Sequence, residues 1–310
     1  MILFTFSTFT IKKDPNPKER LVTKINVEPF PLGVYPDKKE IIENPEVENF
    51  ANKYLNLAKN DYRPEQWFDR LLNDLTQTKF YQLLASPRSR TLVIYPGERK
   101  EEIIKNFGDI LNWSKEEREK FAKLITNNKP ILADGKFFPG RYVVDKDINP
   151  TTLADTLNQK FSNEIYARYS DDISNKVSLK ETLIIASLLE REAYDFNDMR
   201  YISGIIWNRI FIDMPLQLDA TLQYVRGSNP YEPTWWPKVN PNDKYIDSLF
   251  NTYKNTGLPP IPISNPSPEA VVAALNPRVT DCLFYFHDQY GGFHCSNSYE
   301  EHVKMLREVY

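Results

Sequence analysis

The chain has 310 residues, 41% hydrophobic and 26% charged, long enough for two compact units and apolar enough to give each a core. Its formal net charge of −3 shows no basic excess, which argues against an extended phosphate-binding surface and so against a nucleic-acid partner. The two cysteines, Cys282 and Cys295, and the three histidines, His287, His294 and His302, stand in no metal-ligating spacing, so no metal or other cofactor is expected.

Met1–Ile11 is an apolar run about half as long as a membrane helix needs, without a basic front or a small-residue cleavage site. It reads as neither anchor nor signal. Residues 12–43, rich in Pro and Lys without periodicity, read as an extended surface connector, which makes 1–43 an extended N-terminal segment. Apolar residues at threes and fours (Phe50, Tyr54, Leu57; Phe68, Leu71, Leu72, Leu75) predict amphipathic helices over Pro45–Lys59 and Glu65–Leu84, a helical segment spanning 44–88. Arg90–Pro96 is a predicted strand ending in a Pro-Gly turn. Helices follow over Glu101–Leu111 and Ser114–Ile125, the second opened by the capping box Ser114-x-x-Glu117, and Arg141–Val144 is a second strand. This strand, helix, helix, strand order closes into a module over 89–146.

From Asn149 to about Ile210 the pattern is mainly helical, and 226–266 is rich in Pro and Asn, irregular but pinned by aromatic packing. Ser267-Pro268-Glu269 opens a short helix that stops at Asn276-Pro277. A hairpin follows, Cys282–Phe286 against Phe293–Ser296, and Ser298-x-x-Glu301 caps a last helix. The cysteines flank this hairpin and could face each other, but sequence alone leaves its register, and so the disulfide, open. The expected class is α+β, with 147–310 a mainly helical unit ending in the hairpin.

Ser178–Ala193 begins with the capping box Ser178-x-x-Glu181 and is apolar on nearly every face, which predicts a buried helix. Near its C-terminal end stand Glu190 and Glu192, about 200° apart around the axis, so they point to different sides. Glu192 lies over Leu188 and Leu189, with Ile185 a turn further back. Such an apolar sector disfavours the charged carboxylate and suits a general acid. Glu190 lies over Ala186 and Ser187, a setting for a fixed hydrogen-bond acceptor. The alternative is that either carboxylate simply pairs with Arg191, Arg200 or Arg209. A second helix is expected to begin at Asp198-Met199 and run to Trp207-Asn208-Arg209.

The motifs that follow carry a resemblance. Asn208-Arg209, Leu216-Gln217-Leu-Asp219, Asn251-Thr-Tyr253 and Gly257-Leu-Pro-Pro260 run in order through roughly the last 130 residues, and this half resembles the MltG (YceG-like) family of endolytic murein transglycosylases. Tyr95-Pro-Gly-Glu-Arg99 and Gly135-Lys-Phe-Phe-Pro139 are loosely similar to the family's LysM-like part. The resemblance implies that Glu192 is the catalytic residue. It further implies cleavage of peptidoglycan between N-acetylmuramic acid and N-acetylglucosamine with 1,6-anhydro ends, which would contribute to ending glycan strand growth. It places Gln217, Asn251 and Tyr253 around the sugar, Glu190 and Arg209 bracing the helix pair, and Asn208, Asp219 and Thr221 in support. It also implies a bacterial cell-envelope location at the outer face of the cytoplasmic membrane, a membrane anchor that this chain does not display, and penicillin-binding synthases as partners. Departures are Leu218-Asp-Ala-Thr221, where the family usually has Thr-Asp-Pro-Thr, and Ser248-Leu-Phe-Asn251, where it has Ser-Pro-Tyr-Asn. Two rivals remain: a hydrolytic muramidase using Asp219 as second carboxylate, and a non-catalytic peptidoglycan-binding scaffold.

Overall fold

The structure is a computed structural model and describes residues 27–55, 88–127 and 134–310. Its described elements, in chain order, begin with the short antiparallel pair β1 (Val34–Tyr35) and β2 (Glu40–Ile41) and the helical turn α1 (Glu46–Phe50). The predicted helix over Pro45–Lys59 begins here and widens at Ala51–Leu55. The predicted helix Glu65–Leu84 and the run Met1–Ile11 lie outside the described residues.

Strand β3 (Ser89–Ile94) pairs antiparallel with β4 (Gly140–Asp145), Arg90 opposite Val144 and Ile94 opposite Gly140. Between them lie α2 (Lys100–Ile110) and α3 (Lys115–Asn127). The Ser114 hydroxyl accepts from the Glu117 backbone and the Glu117 carboxylate from the Ser114 backbone, which answers two N–H groups the helix leaves open. Strand β4 alternates as a half-buried strand should, with Tyr142 and Val144 inward and Arg141 and Val143 outward. The resulting core holds Leu92, Ile94, Ile103, Phe107 and Phe121. Helix α4 (Pro150–Glu164) adds Leu153 and Leu157 to it but sends Phe161 into the larger core, so one helix ties the two together.

The larger core is built around α6 (Leu179–Glu192), which follows the single turn α5 (Asp171–Ser174). All residues from Thr182 to Leu189 are buried, as the continuous apolar run requires. Both α7 (Phe196–Phe211) and α9 (Pro268–Leu275) pack on it, and Trp207 Nε1 donates to Ala274 O across their own contact. Helix α7 starts at Phe196, two residues before the expected Asp198, because the Asp195 carboxylate accepts from the Asp198 backbone and caps it. Helix α8 (Asp219–Gly227) meets the C-terminal end of α6. The hairpin of β5 (Phe284–His287) and β6 (Phe293–Ser296) and the last helix α10 (Tyr299–Val309) complete the chain, and Cys282 and Cys295 are joined by a disulfide.

One expectation is corrected. The described part of the N-terminal segment is not a surface connector: Phe30 and Val34 are buried in the larger core. The Gly33 N–H donates to Leu275 O, and the buried Asn276 side-chain amide donates to Pro31 O, so the C-terminal end of α9 and its cap hold the segment's backbone by bonds that composition does not reveal. Among the described residues no helix is long and apolar enough to cross a membrane.

Candidate active site

Two helix ends and a hairpin meet at Glu192. It is the last residue of α6, where the helix dipole disfavours negative charge. Its Oε1 accepts from the backbone N–H of Ala220, one of the open donors of the first turn of α8, at 3.1 Å. Its Oε2 accepts from the Tyr285 hydroxyl on β5 at 2.9 Å. Burial raises the carboxyl above its ordinary range; these two hydrogen bonds oppose the rise and the nearby Asp219 reinforces it. Each oxygen keeps a lone pair, so a proton on one of them can face the cleft while the two donors hold the group still.

That cleft has a volume of about 700 Å³ and is lined by Glu192, Arg209, Gln217, Asp219, Tyr253 and the hairpin side chains Phe284 to His287, with Tyr299 and His302 from α10. The Tyr253 hydroxyl donates to Asp219 Oδ1 at 2.7 Å, and burial together with Asp219 raises the phenol well above its usual range. Gln217 is exposed, adopts φ 52° and is held by its backbone N–H to Thr252 O. A glutamine in the left-handed region is uncommon and marks a locally constrained turn at the cleft. Arg209 is buried beneath, donating through Nε to Leu283 O and through Nη1 to the Pro215 and Leu216 carbonyls, and so clamps the hairpin to the loop carrying Gln217.

Other residues singled out in the sequence lie off the cleft. Glu190 points to the opposite side of α6, where its Oε2 accepts from the Ser267 backbone and hydroxyl at 2.9 and 2.6 Å and anchors the start of α9. Asn208 donates to the Thr280 and Cys282 carbonyls and fixes the approach to the hairpin. Thr221 is buried, donates to Leu218 O and meets the Thr252 hydroxyl. Asn251 is not placed to hold a sugar. It is fully buried, its amide donates to the Lys244 and Ile246 carbonyls, and its Oδ1 accepts from the Tyr253 backbone. It shapes the loop that presents Tyr253.

Sequence reasoning passed over Tyr285 and His287, which the hairpin brings to the cleft. The available signal was the alternation in Phe284-Tyr-Phe-His287, which puts Tyr285 and His287 on one face of a strand. Among the described residues no group of three or more His, Cys, Asp or Glu side chains is arranged to hold a metal ion.

The model of the YceG-like family matches residues 37–308. Over 196 residues the chain is 35% identical to a Bacillus subtilis protein named endolytic murein transglycosylase, a match covering 60% of this chain and 52% of that one. Over 176 residues it is 31% identical to a Streptococcus pneumoniae protein of the same name, covering 56% and 32% respectively. The chain thus spans about half, or less, of the length of these curated relatives. The solved structure of a yceG-like protein from Listeria monocytogenes superposes with a TM-score of 0.61 at 26% identity, covering 90% of this chain and 98% of that one.

Proposed function

The chain belongs to the YceG-like family, and from that premise we propose that it is an endolytic lytic transglycosylase of peptidoglycan in which Glu192 is the acid/base catalyst. The observation that carries this reading is Glu192 itself: a carboxyl at a helix end, raised by burial and fixed by two donors on the wall of an open cleft. Held protonated, it gives its proton to the glycosidic oxygen between N-acetylmuramic acid and N-acetylglucosamine. The resulting carboxylate takes the proton of the muramic 6-hydroxyl, whose oxygen bonds to the anomeric carbon as the glycosidic bond breaks and N-acetylglucosamine leaves with a free 4-hydroxyl, and the strand ends in a 1,6-anhydro sugar. No water is consumed. Gln217 and the Tyr253–Asp219 pair face the sugar, and Arg209, Asn208, Thr221, Asn251 and Glu190 hold the elements that carry the site. The Bacillus and Streptococcus relatives carry the name endolytic murein transglycosylase, which supports the reading.

The β3–α2–α3–β4 unit fits a LysM-like module over 89–146 by its order and antiparallel pairing, with 147–310 as the catalytic unit. Work on nascent strands at the outer face of the cytoplasmic membrane, beside penicillin-binding synthases, follows from the same reading. The test is to digest purified peptidoglycan with the wild type and with Glu192→Gln. Anhydromuramyl fragments from the wild type and none from the variant are expected. Equal release by both removes Glu192 from its role.

The hydrolytic rival draws on one observation: Asp219, a second carboxylate, lines the same cleft and raises Glu192. Its products would carry reducing ends.

A further inference from the structure

Strand β5 brings a second ionisable group to the cleft. Tyr285 and His287 point to one face of the strand, and two residues along it is about 7 Å, a spacing comparable with one pyranose ring. Since Tyr285 reaches Glu192, His287 stands about one sugar away along the same wall. Its Nε2 lies 2.8 Å from Asp198 Oδ2. That oxygen also accepts the Tyr194 backbone N–H at 2.8 Å, so the hydrogen shared with the imidazole belongs on Nε2. In the neutral imidazole Nδ1 is then a bare acceptor. It has no protein partner among the described residues and is not among their buried, unpartnered atoms, so it is reached by solvent, on a residue that lines the cleft.

Aromatic rings pack around the imidazole. Tyr194 lies edge-on to it with centroids 4.7 Å apart and is itself 70% exposed, Phe293 and Tyr285 pack at 5.6 and 6.2 Å, and the backbone carbonyl of His287 accepts from the Tyr310 hydroxyl. Besides Asp198, the ionisable groups around it are Glu192 from α6, Tyr285 beside it on β5, and Tyr194 and Tyr310. A carboxylate that orients the imidazole, aromatic rings packed around it and a solvent-reached acceptor on the cleft wall suit recognition of a hydroxyl.

We propose that His287, oriented by Asp198, is a sugar-binding residue whose Nδ1 accepts a hydrogen bond from a hydroxyl of the ring adjacent to the one Glu192 acts on. This rests on the glycan-cleaving reading of the site, and the test separates the two. Glu192→Gln protein labelled with 15N-histidine is titrated with soluble glycan strands released from peptidoglycan. The His287 Nδ1 resonance should move as binding saturates, while that of His294, tied to Asp288 in the hairpin turn, stays still. Saturable binding with His287 unmoved overturns the proposal and leaves the cleavage reading intact; no binding at all overturns both. In the active protein, His287→Phe keeps the ring packing but removes the bond to Asp198 as well as the one to the sugar; in a variant shown to be folded it should lower kcat/KM on the same strands about tenfold, chiefly through KM. An unchanged kcat/KM in a folded variant also counts against it.

Discussion

Glu98, in the turn between β3 and α2, is pushed up to about 7 by burial, against the Tyr95 backbone N–H that its Oε2 accepts and with Glu102 adding to the rise. The turn is docked on the larger core through Asn265, which exchanges backbone hydrogen bonds with Gly97 and Glu98 and binds the Gly135 and Phe137 N–H groups with its side chain. A carboxyl whose folded pKa exceeds its unfolded value of 4.5 binds more protons when folded. Its contribution is therefore fully present below pH 4.5 and is lost as pH rises through about 7. Between these limits the loss amounts to roughly 3 kcal/mol at pH 7, from 1.36 kcal/mol per pH unit. Glu98→Gln keeps the acceptor for Tyr95 and removes the titration. The variant should match the wild type near pH 4 and exceed it at pH 7 by roughly 6 °C in Tm, at about 2 °C per kcal/mol for a chain of this size. Calorimetry across that range checks it. Parallel Tm curves for the two proteins would refute the reasoning, since they would mean that Glu98 ionises in the folded state as freely as in the unfolded chain.

Tyr285→Phe removes a hydrogen bond that favours ionised Glu192, worth about 1.5–3 kcal/mol when the acceptor is charged. Because the acid must be protonated, the alkaline limb of the kcat/KM profile should move to higher pH while the optimum rate falls; a limb that stays in place would uncouple the two residues. Replacing Cys282 and Cys295 together by Ser opens a loop with a sequence separation of 13 and should cost about 3 kcal/mol, seen as a lower Tm that reductant no longer changes. An added Cβ at Gly227 would overlap the Trp235 carbonyl oxygen, so Gly227→Ala should destabilise by about 1–3 kcal/mol in urea titration.

What was legible in the sequence was local. The capping boxes at Ser114 and Ser178 place α3 and α6 because each is closed by residues three apart. The apolar sector of α6 separates Glu192 from Glu190 because helical rotation alone turns them apart. What was not legible depends on contacts between distant segments. Gly291-Gly292 marks the hairpin turn, but in a loop this long it does not fix the register that pairs Tyr285 with Cys295, and the disulfide to Cys282, just before the strand, was not legible. The burial of Phe30 and Val34 depends on α9, some 240 residues later. Asn251 misled for another reason: a polar residue in a loop motif reads the same whether it binds a ligand or satisfies buried carbonyls. The Asp198–His287 pair joins residues 89 apart.

In the proposed function cleavage uses one carboxyl, Glu192, and a hydroxyl of the sugar itself, without water. The most direct measurement is digestion of peptidoglycan by the wild type in water enriched in 18O, followed by mass spectrometry of the new muramyl ends. Anhydro ends free of the label are expected. Reducing ends carrying 18O would contradict this mechanism and show that water is the nucleophile.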